Sequence, residues 1–327
     1  MKVLILLLIS LNVSAQYMKA LPANPMVLPK EEIERRLKLL DYDKNFTVLS
    51  KKKYREKLNY EIYKVRLASK HPNFRISLPL ITDFYWYRPK FSKPQPLPLV
   101  IISPPIVGVD PLEKILANNF TENDPFYNTF ILDYDEKIND KNRPLSALND
   151  SFIKSIVQGR LLLDFAETQK ETIDSKKIAC YGMSLGGIMS ALLLQVDPRV
   201  KAAIIIVGGG NFPEILRNSK QSIVKGYREA RMKVEMIKTL DELENKTRSL
   251  LLFDPLYFAS LRPPRDVYMV LALEDTAVPT KNQKELWEAF RQPASMQYFS
   301  NHAPTIFKNL PFHTAIVNFL NWRFKFD

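Results

Sequence analysis

The residues of this chain best suited to covalent chemistry are a serine and its glycine neighbours. Gly182-Met183-Ser184-Leu185-Gly186-Gly187 follows a short apolar run of strand formers and precedes apolar residues at helical spacing. In that context a G-x-S-x-G sequence makes a sharp strand-to-helix turn that exposes the serine hydroxyl. The glycines let the chain reverse without side-chain clashes. The N-terminus of the following helix would bring N–H groups and a positive dipole near the reacting oxygen. The same residues could also form a tight turn with no chemical role.

A serine hydroxyl is a weak nucleophile until a base takes its proton and an acid orients that base. There are three histidines: His71, His302 and His313. A serine on such a turn is followed in the chain first by its acid and then by its histidine, which excludes His71. His302 follows the last predicted strand after Ser300-Asn301, where a loop would lift it to the sheet edge; His313, at the start of the final helix, is the alternative. For the acid, the strand at 267–273 ends in Glu274-Asp275, followed by Thr276-Ala277-Val278-Pro279. A carboxylate there could hold the histidine tautomer and stabilise its cation. Asp275 is the choice, with Glu274 and Asp254 as alternatives. The backbone N–H of Leu185, next to the serine, is the first candidate to hold an oxyanion. A second should come from Ser103-Pro104-Pro105-Ile106-Val107-Gly108, and since proline has no N–H, Ile106 is the candidate.

These residues need a scaffold with strand ends and helix starts at one edge. Helical spacing is read at 30–40, and strands at 60–68 and 76–87 form an antiparallel opening pair. Apolar strands at 97–102, 129–132, 177–181, 200–207, 267–273 and 296–299 then alternate with helices at 110–118, 151–169, 186–196, 282–290 and 312–322. Short, continuously apolar strands separated by helices predict a parallel sheet buried on both faces. The fold class is therefore α/β, a mostly parallel central sheet flanked by helices. A basic helical stretch at about 211–262 interrupts the alternation and reads as an inserted cap within one domain of residues 16–327.

From residue 97 to the C-terminus the chain resembles the α/β-hydrolase superfamily, and in particular its dienelactone-hydrolase-like and prolyl-oligopeptidase-like branches. The resemblance rests on the 182–187 turn, on Asp275-Thr276-Ala277-Val278-Pro279 as the D-x-x-V-P stretch of the acid, and on His302 before the last helix. Asn301 stands where many members have glycine, and the 103–108 loop lacks the His-Gly form of many esterases. The resemblance implies acyl-transfer hydrolysis by Ser184, His302 and Asp275, with no metal and no cofactor. The expected substrate is a small-molecule or polymer-linked ester, with a peptide bond as the variant for a serine peptidase. Basic residues in the cap suggest an anionic or carbohydrate-linked ester. A catalytically inactive fold member acting as an envelope binding protein is the competing class.

The chain has 327 residues and 46% hydrophobic residues, enough for a substantial core. Residues 1–15 have a lysine start, an apolar run over 3–13 and small residues at Val13-Ser14-Ala15, the layout of a cleavable signal peptide. A secreted or periplasmic location is expected. The lone Cys180 excludes an intramolecular disulfide and a cysteine-built zinc site. The net charge of +12 is spread along the chain without a nucleic-acid-binding module. Weak attraction to an anionic envelope surface, centred on Lys51 to Lys57, is the expected consequence, and nucleic acid is not an expected partner.

Overall fold

A computed structural model describes residues 28–70, 79–90, 96–106, 111–122, 127–133, 140, 142–308 and 313–325; side chains at 111–113, 307–308 and 313 are not described. The candidate signal peptide, His71 and residues 107–110 lie outside this set. Nine strands form one sheet in the order β1-β2-β3-β5-β4-β6-β7-β8-β9. They are β1 (Thr47–Glu56), β2 (Tyr60–Ser69), β3 (Leu80–Pro89), β4 (Leu97–Ser103), β5 (Asn128–Asp133), β6 (Ile173–Met183), β7 (Val200–Ile206), β8 (Val267–Ala272) and β9 (Ala294–Tyr298). Pairings from β1 to β3 and from β3 to β5 are antiparallel, and every pairing among β5, β4, β6, β7, β8 and β9 is parallel. The mostly parallel α/β sheet expected from the sequence is the one observed.

The central strands are apolar throughout because helices cover both of their faces. The helix α1 (Lys30–Leu37) precedes the sheet, and α2 (Pro111–Glu122), α3 (Ala147–Thr168) and α4 (Leu185–Val196) connect the strands from β4 to β7. On one face α3 and α4 pack Leu161, Leu162, Phe165 and Leu194 against Ile101, Phe130, Cys180 and Ile205. On the other, α2 and the final helix α11 (His313–Lys325) pack Phe120, Ile316 and Leu320 against Val100, Ile102, Tyr181 and Ile204. The small, buried Cys180 belongs to this core.

Between β7 and β8 come α5 (Phe212–Asn218), α6 (Ser222–Val234), α7 (Leu240–Leu250), α8 (Pro255–Phe258) and two 3-10 turns, Ala259–Leu261 and Pro264–Asp266. Thr239 caps α7 by accepting from the Glu242 N–H, and buried Asp254 caps α8 by accepting from Leu256 N–H. After β8 come α9 (Thr280–Ala289), β9 and α10 (His302–Lys308).

One strand was not read from the sequence, and one sequence expectation is corrected. The basic stretch around Lys51 is the edge strand β1, whose residues are almost all exposed. Its lysines conceal the strand pattern, and charge on an exposed edge also discourages pairing with other chains. The residues after β9, read as a loop, instead begin α10 at His302.

Candidate active site

The candidate residues Ile106, Ser184 and Asp275 lie just past the carboxyl ends of β4, β6 and β8. β4 pairs with β5 on one side and β6 on the other, so the loops leaving β4 and β6 diverge there, the arrangement that opens a crevice in α/β sheets. Ser103 pairs with Gly182 and Met183 with Ile206, which aligns the strand ends.

Ser184 is the residue between β6 and α4, with φ 56° and ψ −121°. A non-glycine residue there is strained by about 1–3 kcal/mol, a cost the surroundings must offset. Its N–H donates to the Ile206 carbonyl at 2.9 Å, and the Ile188 N–H donates to its carbonyl at 3.2 Å. Glycine is required on either side by close approach. A Cβ on Gly182 would lie 2.0 Å from the Gly186 oxygen, and one on Gly186 would lie 2.0 Å from the Ser103 oxygen. Leu185 is the first residue of α4, so its N–H has no acceptor within the helix.

Asp275 sits just past β8 with its side chain wholly buried. Its Oδ1 accepts from the N–H groups of Ala277 (2.7 Å) and Val278 (3.1 Å), and its Oδ2 accepts from Gln283 Nε2 at 2.9 Å. His302 Nδ1 lies 2.6 Å from the same Oδ2, and the histidine side chain is 13% exposed. The start of α10 is held by Thr305, whose N–H and hydroxyl both donate to the Asn301 carbonyl, and by a Ser300–Thr305 hydroxyl contact of 2.5 Å. The alternatives are located differently. Glu274 is exposed. Asp254 is fully buried and accepts from the N–H groups of Asn211, Phe212 and Leu256; burial raises its carboxyl above the usual range. It anchors the starts of α5 and α8. His313 opens α11, and its side chain lies outside the described residues.

Beside Ser184 is a cavity lined by Ile106, Leu148, Leu185, Ile188, Phe212, Ile215, Leu216, Gln221, Val224, Tyr227, Ala277 and Val278. The sequence candidates Ser184, Leu185 and Ile106 therefore share one cavity with the loop that carries Asp275. Burial pushes the Tyr227 hydroxyl up to about 12. None of these walls carries a charged side chain. Arg217 instead pairs with Asp241 and Glu244, and Arg228 donates to the carbonyls of Leu216, Arg217 and Ser219. The helices also reach the acid loop directly, as the Lys220 N–H donates to the Thr276 carbonyl at 2.7 Å.

Gln283, on α9, is a site residue that sequence reasoning missed. It is fully buried, and its Nε2 donates to both Asp275 Oδ2 and the Val278 carbonyl (2.8 Å) while its Oε1 accepts from the Ala272 N–H at 3.0 Å. The only sequence signal is a polar residue on a helix face otherwise turned inward.

No family model matches the sequence, and no curated protein matches it. Solved structures do match. An acetyl xylan esterase from Paenibacillus sp. R4 aligns over 92% of this chain and 99% of its own, with a TM-score of 0.65 and 16% identity. Acetyl xylan esterase 1 from Thermoanaerobacterium sp. JW/SL YS485 aligns over 93% and 99%, with a TM-score of 0.61 and 13% identity. A cold-adapted esterase from an Arctic intertidal metagenomic library aligns over 85% and 99%, with a TM-score of 0.51 and 13% identity. At such identities the likeness speaks to architecture, and with the sheet order and the β6–Ser184–α4 turn it establishes that this chain has the α/β-hydrolase fold.

Proposed function

We propose that this chain is a serine hydrolase that cleaves carboxylic esters through an acyl-enzyme. The observation that carries the reading is the 2.6 Å contact of His302 with buried Asp275, whose loop shares a cavity with a serine held at φ 56°. Likeness in fold to esterases supports it.

In the proposed reaction Ser184 Oγ attacks the ester carbonyl carbon while His302 Nε2 takes the hydroxyl proton. Asp275, holding Nδ1, fixes the ring and stabilises the imidazolium. The carbonyl oxygen becomes an oxyanion that accepts from the N–H groups of Leu185 and Ile106. Collapse breaks the bond to the alcohol oxygen, which leaves with the proton from Nε2. Water then repeats the sequence on the acyl-serine, releasing the carboxylic acid and restoring Ser184.

A fluorophosphonate probe tests this reading, because it reacts with a serine whose base and oxyanion donors are assembled. Wild type and His313→Ala label, Ser184→Ala does not, and His302→Ala labels at least about a thousandfold more slowly. A folded wild-type protein that does not label favours the envelope binding protein instead. Labelling lost in His313→Ala but kept in His302→Ala would reassign the base. The reading includes export, with a mature chain beginning at Gln16, checked by the N-terminal mass of the secreted protein. It also includes weak, salt-sensitive attraction of the β1 lysines to anionic polymer, measured as retention that is lost as ionic strength rises.

A further inference from the structure

The cavity beside Ser184 has no charged wall to receive the anionic or carbohydrate-linked ester suggested by basic residues in the cap. Its walls come from the loop after β4 (Ile106), from α3 (Leu148), from α4 (Ile188) and from α5 and α6 (Leu216, Val224). Among the described contacts the arginines of those last two helices are paired, and one of them, Arg231, pairs with Glu235 and lies over the ring of the cavity wall Tyr227, 5.9 Å from its centroid. Arg217 meets two carboxylates, and Arg228 is spent on three main-chain carbonyls of the α5–α6 connection. A carboxylate, phosphate or sugar entering this space would lose its water and meet almost no hydrogen-bonding partner, which is costly. A hydrocarbon chain entering it would gain by leaving water.

The side of the ester bond that belongs here follows from the proton transfers. His302 must give its proton to the departing alcohol oxygen, so the alcohol lies against His302. The cavity is lined by Ser184 and by the two residues expected to hold the oxyanion, but His302 is not among its walls. The part of the substrate that extends into it is the part that stays bonded to Ser184. We infer that this cavity is an acyl-chain pocket and that the substrate is an ester of an apolar carboxylic acid longer than acetic acid. The inference rests on the hydrolase reading above.

The test holds the leaving group constant and varies the acid, using p-nitrophenyl acetate, butyrate, hexanoate and octanoate, with fluorophosphonate labelling of the same preparation. Each buried methylene strengthens transition-state binding severalfold, so kcat/KM rises by about tenfold or more from acetate to butyrate. Varying the alcohol of acetate esters gives no comparable rise. Val224→Trp, which fills the pocket from α6, lowers the butyrate-to-acetate ratio of kcat/KM by about tenfold. Val224→Ala, which cannot overpack the site, moves the optimum to longer acids. Because each readout is a ratio, partial loss of folded protein does not mimic it. A series that is flat or falls from acetate, or a ratio indifferent to both Val224 variants, overturns the acyl pocket while labelling keeps the hydrolase reading intact. A rise that follows the alcohol instead also overturns it. Folded protein that neither labels nor turns over any ester overturns both.

Discussion

Asp275 Oδ2 accepts from two directions, His302 on one side and Gln283 on the other, while Oδ1 is occupied by two backbone N–H groups. A carboxylate held at both oxygens has little rotational freedom, so it presents one lone-pair direction to the imidazole. On the proposed hydrolysis Gln283 is thus a positioning residue that acts through Asp275. Gln283→Met removes its donor and leaves the buried Ala272 N–H unpaired. On the proposed hydrolysis, steady-state kinetics should show kcat lower by roughly tenfold and KM within about twofold, since orientation of the acid matters to the chemical step rather than to binding. An effect on KM alone would argue that Gln283 only shapes the cavity. Ser184, Asp275 and His302 could be nominated from chain order and the ends of predicted strands. Gln283 could not, because its partners are eight residues back and across a loop whose path the sequence leaves open.

At the scale of elements, α4 and the end of β4 meet at Gly186. A methyl group there would overlap the Ser103 carbonyl, which belongs to a central strand and has no room to yield. Gly186→Ala is expected to cost about 3 kcal/mol, or to prevent folding; a thermal unfolding midpoint within 2 °C of wild type would contradict this. The sheet's other end is held by charge. Glu61 on β2 accepts from Lys53 of β1 at 2.7 Å, with Arg88 and Tyr63 adding further donors, and the Lys53 contact foremost among these pulls its carboxyl from 4.5 down to about 2. The folded chain therefore prefers ionised Glu61 more than the unfolded chain does, so its stabilisation is complete above about pH 4.5 and is lost as pH falls through about 2. Glu61→Gln should be less stable to urea at pH 7, with the gap closing as the pH approaches 2. A gap that stays constant would mean the contact is not electrostatic. The central parallel strands were legible because burial on both faces makes them uniformly apolar. β1 was not, because an edge strand with both faces in water has no apolar period to read.

For the whole molecule, the likeness in shape to esterases extends over almost the full chain at 13–16% identity, so the architecture outlasts the sequence that specifies it. The helices between β7 and β8 were legible as an interruption of the strand–helix rhythm. That they turn apolar side chains toward Ser184 while Arg217 pairs with carboxylates and Arg228 with main-chain carbonyls was not, because a basic amphipathic stretch does not reveal which face meets the sheet. The Lys220–Thr276 main-chain bond joins those helices to the loop carrying Asp275. That bond works as a tether. On the proposed hydrolysis, any outward swing of the helices must either break it or drag Asp275 out of line, so admitting a bulky ester and holding the acid in place would compete for one hydrogen bond. Amide exchange at Lys220 should accordingly track exchange at Ala277 and Val278, the amides that hold Asp275, and a bound acyl-serine mimic should slow all three together.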